Sequence, residues 1–599
     1  MPRFPDCWRC GKNSATVVCD LCQVAKYCSI KCKENDKARH TDAECHPARI
    51  MKKCSSCRKR SSSLQTCSGC YRAFYCDKKC QLNHRNEHKV DCKNSTDKIR
   101  LLAGELDNYF FANEARYLSK HYYWGNMPSV DYLNLSENEG IDYASDLNVL
   151  VLGVGDLRNV VLTCASLPET YSRNLLFVLN DCEECALARL VLLLFILIKG
   201  VSNVDKIVTE IWYSTKLSQI TYSVLSSSLE ELLLMKNAEV FNRVTNGIVN
   251  LNENNLIEYQ KVWRRWFDMK VEGSNNICKE REMLLASYPD YIIGIENYYK
   301  CIPHQHIPSA EKYMTDGIFH RTGNSLNYEN PTLTGPDISV KEGNIMIRDE
   351  SYNYCIPADV LPFCGWDFLK VKKIKHDNSL VKMFGKYIEH QLRRFINKIT
   401  SGNVNFQILL GNCINNDLLI NKGMKFDRIL TSNLIDYIFL PDLLRNYSVL
   451  LNRRNKYATL ITETHNWKKF CPDADVSSMT PFTNPFVTEH LRRIVMQDTN
   501  DATFANDGGT TFREYLNNTS ELHDYLRALF HVYHKRQDAK RSKTIKLPIL
   551  KDLGKEFQLQ MRDLQRNENR IVFFRLVINR RRVTMISGRE RCIEWVAST

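Results

Sequence analysis

Residues 148–161 read NVLVLGVGDLRNVV. Four apolar residues, Val149–Leu152, run into Gly153-Val154-Gly155, and an apolar helical pattern, LRNVVLTCASL, follows. A short apolar run before a glycine turn fits a strand buried on both faces. In a strand–loop–helix, glycines let a ligand approach the backbone, and the helix N-terminus attracts negative or polar groups. Asp156 stands where it can cap that helix. The next strand, Leu175–Leu179, ends in Asn180-Asp181, where a carboxylate can meet ribose hydroxyls. Gly153, Gly155, Asp156 and Asp181 are therefore the cofactor-binding candidates. The competing reading is a tight βα turn that serves close packing alone.

Outward from this turn the chain alternates β-rich runs with helical periods, the pattern of an α/β domain with a mainly parallel sheet. Further strands are expected at Ile207–Ile211, Val404–Leu410, Arg428–Thr431 and Ala458–Thr462, with a terminal hairpin of Ile571–Ile578 and Arg582–Ile586. Residues 225–300 carry apolar residues at three-to-four spacing and are expected as a helical insertion. Trp263 and Trp266 share a face there and are expected in the core. Residues 301–400 are expected as long ordered loops before a helix at about 378–399, and residues 93–107 as a linker running into a helix. The division that follows is 1–48, 50–92, the linker 93–107, and one elaborated body over 108–599.

Composition sets outer limits. The chain has 599 residues, 44% hydrophobic and 25% charged, the balance of a soluble globular protein. Its longest apolar run, Leu190–Ile198, is far short of the roughly 20 residues that cross a bilayer. The opening MPRFPDCWRC lacks the apolar core of a secretory signal, so a reducing cytoplasm or nucleus is expected.

Of 24 cysteines, fourteen lie in the first 92 residues. Their spacing is Cys7-x2-Cys10, Cys19-x2-Cys22, Cys28-x3-Cys32, His40-x4-Cys45, and then Cys54-x2-Cys57, Cys67-x2-Cys70, Cys76-x3-Cys80, His88-x3-Cys92. The two halves form an internal repeat with a shared Tyr-Cys step. Zinc takes four tetrahedral ligands, and Cys pairs on a turn present two thiolates to one ion. Eight ligands per module imply two ions each and four in all. A module of about 40 residues buries too little to fold alone, so metal binding supplies the folding free energy. The remaining ten cysteines are scattered and are expected as small buried hydrophobes.

The spacing resembles the MYND-type zinc finger. The resemblance implies interleaved ligands: Cys54, Cys57, Cys76 and Cys80 in one site, Cys67, Cys70, His88 and Cys92 in the other. In the first module it implies Cys7, Cys10, Cys28, Cys32 and Cys19, Cys22, His40, Cys45. That module departs by one extra residue before Cys45 and by Lys33 where Gln is usual. MYND fingers dock other proteins, often through proline-rich peptides that lie against a tryptophan. Arg85 and Lys37 occupy that position here, so the usual peptide preference does not carry over.

Residues 1–100 hold 22 Lys and Arg against 10 Asp and Glu. Four Zn²⁺ and fourteen bound thiolates lower this basic excess to about +6, because a zinc-bound thiol is deprotonated. Nucleic acid is therefore not implied as a partner, nor is a membrane. A nucleic-acid-associated regulator acting through the fingers remains a weaker alternative.

In the body, DLNVLVLGVGDLRNVVLT, Asn180-Asp181, FDRILTSNLIDYIFLP and NKYATLITETHNW together resemble a domain of unknown function. It occurs beside MYND fingers in fungal and animal proteins and at the N-terminal part of dynein axonemal assembly factors. The resemblance implies a Rossmann-like, methyltransferase-like body whose cofactor would be S-adenosylmethionine. Such enzymes usually carry an acidic residue two before the first glycine and a third glycine two after the second; Val151 and Leu157 stand there. On that frame Ser432, Asn433 and Asp436 follow the fourth strand. Asn433 and Asp436 either meet a substrate amine or cap the next helix. No phosphate loop, HExxH motif or nucleophile elbow is present, and no catalytic residue is assigned. The expectation is two small zinc-stabilised ββα-type fingers that dock proteins, plus a large α/β body carrying a helical insertion and more scaffold than enzyme. The alternative is an S-adenosylmethionine-dependent methyltransferase with a divergent loop.

Overall fold

The structure is a computed structural model. It describes residues 7, 15–21, 26–37, 52–61, 64–111, 116–118, 121–272, 277–287, 299, 302, 304–319, 328–341, 344–357, 360–375, 377–415, 417–474, 519–538, 545–562 and 591–598. Among them, one mixed sheet holds β1 (Leu147–Leu152), β2 (Leu175–Asp181), β3 (Val249–Asn250), β4 (Val404–Leu410), β5 (Arg428–Leu430), β6 (Thr459–Thr464), β7 (Leu559–Met561) and β8 (Arg591–Ala597). The spatial order is β3-β4-β2-β1-β5-β6-β8-β7. Neighbours from β3 to β6 are parallel, while β8 is antiparallel to both β6 and β7.

β1 lies in the middle because it is apolar on both faces. Val149 and Val151 enter one core, and Leu150 and Leu152 the other, as the pleat requires. From β1 the chain builds outward to β2 and β4, then returns to the other side for β5 and β6. The order therefore reverses between β1 and β5. In an open parallel sheet, the crevice beyond the carboxyl ends at such a point is where ligands bind.

The helices that cover the sheet are α1 (Arg85–Phe111), α2 (Arg158–Ser166), α3 (Glu184–Lys199), α4 (Val204–Tyr213), α5 (Leu380–Thr400), α6 (Leu440–Ser448) and α7 (Thr519–Gln537). α2, α3 and α5 share a core with Val149, Val151, Phe177 and Phe406. α1, α6 and α7 share the opposite core with Leu150, Leu152, Ile429 and Ile593.

Five strands fall within two residues of their expected bounds. Ile207–Ile211 does not form a strand; it lies inside α4. Its β-branched residues suit a strand, but Val204, Ile207, Val208, Ile211 and Trp212 recur at helical spacing and are all buried. Tertiary packing outweighs local propensity there. Residues 93–107 are helical throughout, as part of α1. Their buried stripe of Ser95, Ile99, Leu102, Ala103 and Leu106 is narrow, which is why the stretch resembles a polar linker.

The insertion contains helices Gln219–Leu234, Ala238–Val244, Glu253–Glu272 and Ile277–Ala286. Trp263 and Trp266 are fully buried, and their indole N–H groups donate to the carbonyls of Ala188 at 3.0 Å and Thr334 at 3.3 Å. Residues 301–400 are more regular than expected. They contain helix Ile307–Asp316 and the hairpin Thr334–Lys341 with Asn344–Tyr354, which pairs with Arg116–Leu118. The cysteines Cys164, Cys185, Cys355, Cys364, Cys413, Cys471 and Cys592 are buried; Cys182 and Cys278 are half-buried. Cys301, His320 and the expected hairpin at 571–586 lie outside the described residues. No helix among the described residues is long and apolar enough to cross a membrane.

Candidate metal centre and glycine turn

Each Cys-x2-Cys of the second finger closes a tight knuckle. The N–H of Cys54 donates to Lys59 O at 2.8 Å, and that of Arg58 returns to Cys54 O at 3.0 Å. The second knuckle repeats the bonds with Cys67 to Ala73 O at 2.8 Å and Tyr71 to Cys67 O at 2.9 Å. The residue after each pair, Arg58 or Tyr71, is left-handed at φ 64° or 56°. That conformation usually falls to Gly or Asn, so neither position announces itself in the sequence.

Short hairpins, Lys52–Lys53 with Arg60–Ser61 and Gln65–Thr66 with Phe74–Tyr75, deliver the first five ligands. Asp77 then caps helix Lys78–Asn83 by accepting from Cys80 N at 2.8 Å, which fixes Cys80 beside Cys76. His88 and Cys92 are four apart on α1 and so face the same side. Two four-ligand clusters result: Cys54, Cys57, Cys76 and Cys80, and Cys67, Cys70, His88 and Cys92. Within each, the ligand atoms lie within 4.8 Å of one another, the spacing that tetrahedral zinc needs. His88 Nε2 is 3.4 Å from the sulfurs of both Cys67 and Cys70. The hydrogen bond from Cys70, working against burial, pushes the Cys67 thiol down to about 4. Both clusters fit zinc; in the second, the ion would tie the Cys67–Cys70 knuckle to α1.

His84 is not among these ligands; its Nδ1 lies 3.2 Å from the Tyr75 hydroxyl. Gly69 lies so close to the second cluster that an added Cβ would stand 2.9 Å from Cys92 Sγ. The spacing rule for ligands contained no sign of this contact.

In the first finger, Cys7, Cys28 and Cys32 come together within the same 4.8 Å limit. Ser29 repeats the role of Asp77, accepting from Cys32 N at 3.2 Å to start helix Ile30–Asp36. Lys33 pairs with Asp20 at 2.8 Å. Cys19 is buried, while Cys10, Cys22, His40 and Cys45 lie outside the described residues. Arg85 and Lys37 are both exposed.

At the carboxyl end of β1, Gly153 and Gly155 are left-handed at φ 62° and 57°. The space above them holds the chain itself. A Cβ on Gly153 would meet Leu434 Cδ2 at 3.3 Å, and one on Gly155 would meet the Tyr122 carbonyl oxygen at 3.0 Å. Asp156 accepts from the N–H of Gly125 at 2.9 Å and of Arg158 at 3.2 Å, so it ties the 121–130 segment to the start of α2. Leu157 is fully buried. Arg158 turns its guanidinium onto Asp156 at 2.6 Å and donates to Met127 O at 3.0 Å. Asp181 accepts from Gly155 N at 3.1 Å and from Glu183 N at 3.1 Å. Burial and the neighbouring Glu183 push its carboxyl up to about 6. The four candidates are thus brought together, and three of them already spend polar groups on protein partners.

Beyond β5, Ser432 is left-handed at φ 45° and half-buried, with Asn433 beside it. Asp436 is buried. It accepts from Thr464 Oγ1 at 2.6 Å and from the N–H of His465 at 2.8 Å, so it fastens the turn after β6. With a further bond from Asn466 N at 3.2 Å, Asp436 meets the start of the turn Asn466–Lys469 rather than that of α6, the longer helix that follows it.

Two stretches of the chain match known families. Residues 54–92 match the MYND finger, and residues 123–217 match a domain of unknown function (DUF4470). The first spans all eight ligands of the second finger; the second spans β1, the glycine turn, β2, α3 and α4. No curated protein and no solved structure matches the chain. The chain therefore carries a zinc-binding MYND finger, a module that commonly mediates protein–protein interaction, joined to a DUF4470 domain.

Proposed function

We propose that this protein is a zinc-dependent docking scaffold of the cytoplasm or nucleus. Two MYND-type fingers hold four Zn²⁺, two each, and engage another protein. The body has a Rossmann-like, methyltransferase-like fold in which a central strand precedes a glycine turn at the reversal of strand order. It acts as a scaffold and turns over no cofactor.

One observation carries the non-catalytic part of this reading. The Tyr122 carbonyl and Leu434 stand against Gly155 and Gly153, where a nucleoside cofactor would approach. The strand order, and Asp181 at the end of β2, favour the second reading of a methyltransferase with a divergent loop. Calorimetry of the full chain with S-adenosylmethionine separates them. The scaffold reading expects no binding heat. Micromolar binding that vanishes in Gly155→Arg would overturn it. Metal analysis is expected to return about four zinc per chain by ligand count, and two or fewer would remove the first finger from the proposal.

A further inference from the structure

The second finger touches the far end of the chain through the residues just after Cys70. Arg72 Nη1 lies 2.8 Å from Asp524 Oδ2, and its Nη2 lies 3.3 Å from Glu521 Oε1. The same Nη1 donates to Ser95 Oγ on α1 at 3.3 Å. The Tyr71 hydroxyl accepts from Leu550 N at 2.9 Å, and the Arg527 guanidinium stacks over the Tyr71 ring at 5.2 Å. Glu521, Asp524 and Arg527 all belong to α7.

A second attachment reaches the same helix. α1 carries the ligands His88 and Cys92 in its first two turns and then packs Ile99, Leu102 and Leu106 in one core with Leu522, Leu526 and Leu529 of α7. The ion held by Cys67, Cys70, His88 and Cys92 is therefore the joint between two grips on α7, the knuckle and α1. Among the described residues, no hydrogen bond or ion pair links Cys54, Cys57, Cys76 or Cys80 to α7.

We propose that the Cys67–Arg72 knuckle is a docking surface whose partner is the acidic face of the chain's own helix α7, and that zinc in the adjoining site governs the seating of α7 on the sheet. The reason is geometric. Zinc fixes the angle between knuckle and α1, so Arg72 and Ile99 reach α7 together. Without the ion, the knuckle keeps only the chain and the Arg72–Ser95 hydrogen bond to hold it to α1, and the charged contacts lose their preset position. α7 in turn packs under Trp595 of β8, with Phe530 and Trp595 ring centroids 6.1 Å apart, so the effect reaches the sheet edge. This proposal is independent of any external partner of the fingers.

Hydrogen exchange of residues 519–538 in the full, zinc-loaded chain tests it. Cys92→Ser is expected to remove one zinc and raise exchange there about tenfold, the factor represented by one lost charged hydrogen bond. Cys57→Ser is expected to remove one zinc from the other site and leave 519–538 protected. Arg72→Ala is expected to keep every zinc and still raise exchange about tenfold. Unchanged protection in Cys92→Ser, or equal deprotection in Cys57→Ser, overturns the proposal. If Cys92→Ser fails to fold, unchanged protection in Arg72→Ala overturns it.

Discussion

The carbonyl oxygen of Tyr122 stands 3.0 Å from the point a Cβ would occupy on Gly155. The glycine is needed twice over: its φ of 57° disfavours any side chain, and the space is taken by backbone that has no rotamer with which to yield. Gly155→Ala is therefore expected to destabilise the body by about 1–3 kcal/mol. Urea denaturation checks this; a loss below about 0.5 kcal/mol, the range of neutral surface changes, would contradict the close approach.

Arg428 and Glu139 form an ion pair at 2.7 Å with both side chains 0% exposed. Asn455 donates to the second Glu139 oxygen at 2.9 Å, and Arg428 also donates to Leu133 O at 3.0 Å. Glu139→Gln leaves a buried guanidinium without its counter-charge and is expected to cost about 3–5 kcal/mol. The double variant Glu139→Leu with Arg428→Met is expected to cost less than Glu139→Gln, measured by the same denaturation.

His121 is buried between two acceptors, Glu183 Oε1 at 2.9 Å from Nδ1 and Pro336 O at 2.7 Å from Nε2. Burial opposes its charge, but Glu183 and the carbonyl outweigh it and hold the pKa above the ordinary value of 6.5. A raised folded-state pKa means that the folded chain binds this proton more tightly. The contribution is complete below about pH 6.5 and fades as pH rises through the folded value. The stability gap between the wild type and His121→Gln is expected to be larger at about pH 6 than at about pH 9. A gap that is constant across this range would show the imidazole to be neutral.

His84 and His88 lie one helical turn apart beside the second cluster, and geometry separates their roles. His88→Ala is expected to lose one zinc per chain, because His88 is the only imidazole in the Cys67, Cys70, His88 and Cys92 cluster. His84→Ala is expected to retain the full zinc content while losing its contacts with Tyr75 at 3.2 Å and Glu87 at 3.4 Å. Elemental analysis of both variants decides the matter.

Gly69 sits against the same cluster. With an added methyl 2.9 Å from Cys92 Sγ, the sulfur must move out of ligating position or the knuckle must shift. Gly69→Ala is expected to weaken zinc at this site by about tenfold or more, within the range seen when groups that orient metal ligands are altered. Competition with a chromophoric chelator reads the change, and wild-type affinity would refute the contact.

The features legible from residue order are local. Cys and His ligands lie within five residues of their mates, and β1, β2 and β4 are short apolar runs, so spacing and period are enough to place them. Helix α4 shows the limit of that logic, because its β-branched residues suit a strand and only tertiary packing, which buries every residue of it but Lys206, chooses the helix. What each feature touches emerges only from the folded chain. Arg72 and Asp524 are 452 residues apart in sequence, yet they meet because α1 carries the finger into the core that α7 shares. The glycine turn at 153–155 was legible as a turn, but its use was not. A glycine grants close approach to any backbone or ligand, and only the folded chain shows Tyr122 and Leu434 in that space.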